Sequence, residues 1–229
     1  MKLKRNILLT KMKWGDRGLY MESTAAQRSE AWLQARIGIV TSTTGSALAG
    51  KSSFKTPEQI GKIIAGVETE VFSEKSLECM SHGVQSEEPT RIWFEKTYNC
   101  KVLERGLCVS KADPLIGGSV DGDIVGTDGC IEIKCPQKMY RGILSYTENV
   151  EHGWVPPADY FEHILSSHLH QMQQICWVLG KKYCVYIVNC TFTGQIFTQK
   201  IPFSQKYWDE VYPIIKKNYE LYVRPHLKK

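Results

Sequence analysis

Apolar residues recur with helical spacing in several stretches of the chain. Around Trp32 this spacing, with Ser23 or Thr24 as the N-cap, predicts a helix that continues through Arg36. Further helices are predicted at Thr41–Gly50, Thr56–Gly66, Ser76–Tyr98, Asp159–Leu179 and Ser204–Val223. Pro89 lies inside the helix predicted to end at Tyr98, and the sequence leaves open whether it kinks that helix or begins a new one.

In other stretches, apolar and polar residues alternate over short runs that are separated by turn residues. Strands are predicted at Lys101–Val109, Gly117–Val125, Cys130–Cys135, Tyr183–Asn189 and Gln195–Ile201. Helices, a run of strands, a covering helix and more strands together predict an α/β fold, a mixed central β-sheet flanked by helices. No repeat or obvious linker divides the chain, so residues 1–229 are expected to form a single domain with residues 1–22 as an N-terminal arm.

Composition narrows the class of protein. Hydrophobic residues make up 42% and charged residues 23% of the chain, as in ordinary globular proteins. No apolar run approaches the roughly 20 residues that a bilayer requires. The basic segment Met1–Thr10 lacks a signal-peptide core and is interpreted as an arm or first strand. We therefore expect an intracellular protein that is not secreted, in the cytoplasm or, for a viral protein, in the host cell. The net charge of +5 fits a nucleic-acid partner without requiring one.

The eight cysteines form no Cys-x-x-Cys pair, and several fall inside apolar patterns. Such cysteines usually behave as small buried hydrophobes in a reducing compartment. This spacing disfavours a structural zinc site, an iron–sulfur cluster and a disulfide framework.

Candidate chemistry is concentrated in the predicted strands. Along a strand, Glu132 and Lys134 face one side while Ile133 and its neighbours face the other. Asp121 lies at a strand end one hairpin earlier, so the hairpin is expected to bring its carboxylate alongside that of Glu132. The plainer alternative is the solvated side of an edge strand, and Asp…Glu-x-Lys also occurs often by chance.

Paired carboxylates suit a hard cation, Mg²⁺ or Mn²⁺, rather than zinc. Such an ion neutralises phosphodiester charge and lowers the pKa of a bound water. The backbone carbonyl of Ile133, between Glu132 and Lys134, is a further candidate ligand. Lys134 is placed to orient or help deprotonate the water and to stabilise negative charge. These residues favour metal-assisted hydrolysis of a phosphate ester.

Five blocks in order extend this pattern over residues 27–188. They are Trp32–Thr41 (W-x-x-x-R-x-G-x-x-T), Gly83–Glu87 (G-x-x-x-E), Ser119–Gly122 (S-P-D-G), Ile131–Pro136 (L-E-L/I-K-C-P) and His168–Gln173 (Q-x-Q). Asp121 with Glu132 and Lys134 resembles the D…ExK core of the PD-(D/E)XK nuclease superfamily, and the wider pattern resembles the phage lambda exonuclease family of viral recombination nucleases. Val120 departs from the family's proline before the aspartate.

The resemblance assigns roles that the pattern alone does not. Glu87 is implied as a third carboxylate that completes a two-metal site, although a lone helix glutamate is usually solvated. Gln171 is implied as a neighbour of Lys134 that holds the water or the lysine, although a lone glutamine is also usually exposed. His168, one turn away on the same face, is interpreted as structural.

The N-terminal block is implied to hold a 5′-terminal phosphate. Arg36 is the natural anchor, since a guanidinium binds phosphate in bidentate fashion. Thr41 and Thr43 add hydroxyl and backbone donors at a helix start, and Ser42 is a further candidate. Without the resemblance, Arg36 is simply a cation at a helix C-terminus.

The resemblance implies a Mg²⁺-dependent 5′-to-3′ exonuclease that digests one strand at duplex DNA ends and leaves a 3′ single strand for recombination. It also suggests a ring-shaped trimer and a single-strand annealing protein as partners. The alternatives are an endonuclease or helicase-associated nuclease of the same superfamily, a non-catalytic DNA-end-binding module, and a Cys/His zinc protein.

Overall fold

The computed structural model of the protein describes residues 13–52 and 55–227. Its strands are β1 (Trp14–Asp16), β2 (Tyr20–Ser23), β3 (Val102–Leu103), β4 (Cys108–Ser110), β5 (Gly117–Gly118), β6 (Gly122–Ile124), β7 (Gly129–Lys134), β8 (Tyr183–Cys190) and β9 (Gln195–Pro202). Its helices are α1 (Glu30–Ala35), α2 (Ser42–Leu48), α3 (Pro57–Ile64), α4 (Glu74–Tyr98), α5 (Arg141–Glu151), α6 (Ser166–Leu179) and α7 (Gln205–Tyr222), followed by a 3₁₀ turn at Arg224–His226.

The described strands form two sheets. The larger sheet has the order β3-β6-β7-β8-β9, and within it only β7 and β8 are parallel. The smaller sheet has the order β1-β2-β4-β5 and is antiparallel throughout. The parallel β7–β8 pair requires a crossover, which α5 and α6 provide. The mixed α/β fold is confirmed, with the strands divided between two sheets rather than gathered in one.

The two faces of β7 pack against different helices. Ile131 and Ile133 belong to an apolar cluster with Phe94 of α4. Cys130, on the opposite face, belongs to the main core with Met172 and other residues of α6 and α7. This alternation confirms the predicted facing of the strand, and it directs Glu132 and Lys134 towards the α6 side.

The start of the first helix was predicted too early. Helix α1 begins at Glu30, and the Ser29 side chain accepts a hydrogen bond from the Trp32 backbone amide. Two features exclude the earlier start. Ser23 ends a strand of the smaller sheet, and Arg28 has a left-handed backbone with φ +66°. A helix cannot pass through either conformation.

The helix predicted from Asp159 begins only at Ser166, because residues 157–164 form successive turns. Helix α5 was missed. Its N-cap, Tyr140, makes no side-chain cap hydrogen bond, and only Ile143 of the helix is buried. With a tyrosine at its N-cap, the helix lacks the Ser, Thr, Asp or Asn that signals a helix start in a sequence.

Two predicted strands are each broken. Lys101–Val109 divides into β3 and β4, and Gly117–Val125 divides into β5 and β6. The second break falls at residues 119–121, so Asp121 lies just before β6 rather than within a continuous strand.

The remaining helix predictions hold. Helix α4 runs without a break through Pro89, which settles the question that the sequence left open. The capping box at Thr56 and Gln59 begins α3 as expected.

The segment Met1–Thr10 lies outside the described residues, as do the basic ends Lys228 and Lys229. Cys79 corrects the expectation of buried cysteines, because it is exposed on α4. Five other cysteines are buried, namely Cys108, Cys130, Cys176, Cys184 and Cys190. No helix in the described ranges combines the length and apolar character needed to cross a bilayer.

Candidate active site

The antiparallel β6–β7 hairpin brings two acidic residues together. Gly122 pairs with Ile131, so the preceding Asp121 lies towards Glu132. The Asp121 carboxylate accepts a hydrogen bond from the backbone amide of Ile133, at 2.7 Å from its Oδ2. Asp121 is therefore held against β7 between the positions of Glu132 and Lys134.

Glu132 and Lys134 form an ion pair on the α6 face of β7. Lys134 Nζ donates to Glu132 Oε1 at 2.5 Å, and the two side chains are 22% and 8% exposed. Burial acts to lower the pKa of Lys134, but the charges of Glu132 and Asp121 outweigh burial and raise it above its ordinary value. The lysine is a firmly protonated hydrogen-bond donor in this arrangement.

Asp121 differs from the aspartate two residues later. Asp123 is compensated by two cations, Arg105 at 2.6 Å and Lys181 at 2.5 Å. Burial, followed by the negative charge of Glu132, raises the pKa of Asp121 well above its ordinary value. Asp123 has the environment of a structural carboxylate, whereas Asp121 is a buried acid crowded by a second one.

Glu87, on α4, is engaged by Arg28, whose guanidinium donates to its Oε2 at 2.7 Å. Glu87 is nevertheless near enough for its charge to contribute to the raised pKa of Asp121. Across residues 13–52 and 55–227, no three His, Cys, Asp or Glu side chains converge closely enough to hold a metal ion. The structure thus brings Asp121 and Glu132 together and places Glu87 beside them, paired with Arg28.

The donor chemistry of this site fits a hard divalent cation. Burial, and then the negative charge of Glu132, raises the pKa of Asp121. A cation shared between the two carboxylates would remove the repulsion between them. Carboxylate oxygens are the ligands that Mg²⁺ and Mn²⁺ prefer. A ligand role for Glu87 and for the Ile133 carbonyl stays a prediction.

Gln171 lies on α6 and is 8% exposed. Within the described part of the chain, its Oε1 is buried without a hydrogen-bond partner. Buried polar atoms are nearly always satisfied, so an orphaned carbonyl oxygen indicates a ligand or water. This fits the predicted role of Gln171 in holding a water or a lysine.

His168 connects α6 to the sheet. Its Nδ1 lies 2.7 Å from the Tyr186 hydroxyl, and its ring contacts Tyr140. Burial, then the charge of Lys134, lowers the pKa of His168 to about 3, so the ring is neutral. No local pattern indicated Tyr140 or Tyr186, because the two residues lie far apart along the chain and both contact this histidine.

The Arg36 pocket is the group of side chains formed by Arg36, the C-cap of α1, with Trp32 and Thr41. The Arg36 guanidinium donates to the Thr41 hydroxyl at 3.2 Å and lies 4.3 Å from the centre of the Trp32 ring. Among the described residues no carboxylate lies within ion-pair distance of Arg36. Burial lowers the pKa of its guanidinium, and the charge of Glu70, which pairs with Lys55, opposes this shift. A half-buried cation that lacks an ion pair is suited to an anionic ligand.

The other predicted phosphate ligands differ in how deeply they are buried. Thr41 is the N-cap of α2 and is buried, Ser42 is buried next to Gly118, and Thr43 is exposed. Ser119, for which the sequence predicted no role, accepts a hydrogen bond from Trp32 Nε1 at 3.3 Å. Because Ser119 is two residues before Asp121, this bond links the Arg36 pocket to the carboxylates.

Helix α6 also fixes the neighbouring elements. The Gln174 amide donates to the backbone carbonyls of Val40 and Gly117, each at 2.9 Å, and its Oε1 lies 3.0 Å from His170 Nε2. These bonds are buried, and α2 packs over them at Gly45. The pocket and the carboxylates are thereby held on one scaffold.

The fold is shared with alkaline exonucleases. The structure is similar to an alkaline exonuclease (LHK-Exo) from Laribacter hongkongensis, with a TM-score of 0.64 and 20% identity over 86% of this chain and 94% of that one. The complex of LHK-Exo with dAMP matches equally well. A phage related exonuclease from Haemophilus somnus 129PT gives a TM-score of 0.55 and 11% identity, over 81% of this chain and 94% of that chain. No curated protein matches the chain.

The class that the fold defines is thus an exonuclease-like α/β domain. Residues 31–182 match the YqaJ-like viral recombinase domain, and the chain belongs to this family. The matched range contains every candidate site residue from Arg36 to Gln171. Family and fold together support a nuclease function and agree with the predicted resemblance to phage lambda exonuclease.

The packing at Gly45 yields a stability prediction. A Cβ at Gly45 would collide with the Gln174 and His170 side chains, so Gly45→Ala should lower the free energy of unfolding by about 1–3 kcal/mol. Gly83→Ala is the matched control in α4, because no heavy atom lies within 4 Å of the added carbon. That variant should be stabilised by about 0.5–1 kcal/mol. Urea unfolding measures both, and equal stability of the two variants would contradict the packing described here.

Proposed function

We propose that this chain is a metal-dependent deoxyribonuclease, and specifically a 5′-to-3′ exonuclease. It digests one strand of duplex DNA from 5′-phosphorylated ends and leaves a 3′ single strand for recombination or repair. The observation that carries the proposal is the hydrogen bond that the Ile133 amide donates to Asp121, which sets a crowded carboxylate beside the Glu132–Lys134 pair. Membership of the YqaJ-like viral recombinase family supports the same class of reaction.

Two divalent cations, Mg²⁺ or Mn²⁺, would be held by Asp121, Glu132, Glu87 and the backbone carbonyl of Ile133. When bound, they supply charge neutralisation at the phosphodiester and a water of lowered pKa. The protein's own part is to hold the two carboxylates next to each other on the hairpin. This geometry is preorganised by the β6–β7 pairing rather than assembled by flexible loops.

Lys134 and Gln171 act on the water and on the developing charge. The Lys134 ammonium donates hydrogen bonds, so it orients the attacking water and stabilises negative charge on the phosphate. Gln171 contributes the buried Oε1 that has no partner, and this oxygen accepts a hydrogen bond from the water or from the ammonium.

Arg36 anchors the 5′-terminal phosphate, with Thr41, Thr43 and Ser42 as further donors. Trp32 contacts Arg36 and donates a hydrogen bond to Ser119, so it joins the Arg36 pocket to the segment that carries Asp121. A terminal phosphate held in the pocket therefore sets the distance from the strand end to the carboxylates. The partners in this proposal are duplex DNA ends. A ring trimer and a single-strand annealing protein are the further partners that the family resemblance suggests.

Substrate topology tests the exonuclease proposal. With Mg²⁺, the protein should degrade linear duplex DNA and leave covalently closed circles intact, because only linear DNA offers a 5′ end to the Arg36 pocket. Gel analysis of both substrates under the same conditions measures this. Degradation of closed circles would instead identify an endonuclease, and binding of ends without any cleavage would identify an end-binding module.

Lys134→Ala should abolish hydrolysis while DNA binding and Mn²⁺ binding persist, since the carboxylate ligands remain. Hydrolysis is measured by cleavage of a labelled duplex, DNA binding by fluorescence anisotropy, and Mn²⁺ binding by calorimetric titration. Cleavage at the parent's rate would exclude the proposed role of this lysine.

Arg36→Ala should weaken the preference for 5′-phosphorylated over 5′-hydroxyl ends by about 1.5–3 kcal/mol, the size of a charged hydrogen bond. The ratio of kcat/KM values on the two ends measures the preference. Arg224→Ala, which removes an exposed ion pair with Glu220, is the control and should keep the parent's ratio. An unchanged ratio in Arg36→Ala refutes the phosphate pocket.

A further inference from the structure

Arg28 contacts the third acidic residue of the candidate site. Its guanidinium lies 2.7 Å from Glu87 Oε2, across 59 residues of sequence, and the two side chains are 51% and 23% exposed. An ion pair at such exposure contributes little to stability by itself. The ion pair matters because it holds the carboxylate of Glu87, the candidate third metal ligand.

Arg28 lies in a tight turn with an unusual backbone conformation. Arg28 is one of two non-glycine residues in the described ranges with a left-handed backbone, at φ +66°. The turn around it is closed by Ser29, whose backbone amide and hydroxyl both donate to the carbonyl of Ala26, at 3.2 and 2.7 Å. Conformations of this kind cost free energy and persist where the surrounding structure enforces them.

The turn joins two parts of the site. Ser29 is the N-cap of α1, the helix that carries Trp32 and leads to Arg36. Glu87 lies on α4, whose other end packs against β7 through Phe94. The ion pair therefore connects the helix next to the phosphate pocket with the helix that presents the third carboxylate.

We propose that Arg28 is a positioning residue that fixes the Glu87 carboxylate beside Asp121 for divalent-cation binding. The ion pair engages Oε2 and restrains the side chain, which would limit the positions from which Glu87 could bind a cation. This inference rests on the proposed metal-dependent nuclease function. Mutation of a residue that holds a metal ligand in place typically lowers metal affinity by about 10–100-fold.

Calorimetric titration with Mn²⁺, in the absence of DNA, tests the proposal without relying on activity. Arg28→Ala should raise the Mn²⁺ dissociation constant by about tenfold. Arg28→Lys, which keeps the charge and one donor, should restore part of the affinity. The matched control is Arg224→Ala, because Arg224 also forms an exposed arginine–glutamate ion pair, with Glu220 of α7, a helix that carries none of the candidate ligands. It should bind Mn²⁺ as the parent does.

The Mg²⁺ dependence of linear duplex digestion supplies a second readout. Arg28→Ala should need more Mg²⁺ for half-maximal rate and approach the parent's rate when Mg²⁺ is saturating. A purely structural role predicts a lower rate at every Mg²⁺ concentration.

The possible failures are distinguishable. If the parent binds Mn²⁺ and Arg28→Ala binds it equally well or more tightly, the positioning role is overturned and the nuclease proposal stands. If the parent itself binds no Mn²⁺ and degrades no DNA, the proposed function fails and this inference fails with it. If Arg28→Ala does not fold, Arg28→Gln takes its place, and an unchanged dissociation constant together with an unchanged Mg²⁺ requirement in that variant overturns the role.

Discussion

The candidate site depends on one constraint, the hydrogen bond that holds Asp121 against the backbone of β7. The bond from the Ile133 amide keeps a buried carboxylate next to Glu132, although like charges at such a place repel. The β6–β7 pairing supplies the rigidity, and Lys134 compensates one of the two charges. A site that is electrostatically unfavourable for anions alone is favourable for a cation bound between them.

The rest of the molecule keeps this hairpin in relation to the phosphate pocket. Helix α6 carries Gln171 and His168 towards β7 and β8, and the same helix uses Gln174 to bind the backbone at Val40 and Gly117. Buried amides with both ends bonded specify one arrangement of the elements. The pocket, the carboxylates and the helix over them therefore behave as one unit, which fits cleavage at a set distance from a strand end.

Much of this arrangement could be predicted from the sequence, because it follows from local rules. Strand alternation and one hairpin were enough to place Asp121 with Glu132 and Lys134. The contacts of Arg28 with Glu87 and of Trp32 with Ser119 could not be predicted, since each joins residues far apart in the chain. An arginine with a left-handed backbone also has no sequence signature, and it is what displaced the start of α1. Helix α5 escaped prediction because its N-cap is a tyrosine, which does not signal a helix start.

The most direct test of the account is a crystal structure of the protein soaked in Mn²⁺, with the ion located by its anomalous scattering. The account predicts at least one Mn²⁺ shared by carboxylate oxygens of Asp121 and Glu132, at distances of about 2.1 Å. Mn²⁺ bound only elsewhere, or two carboxylates that share no ion while the protein still degrades DNA, would contradict it.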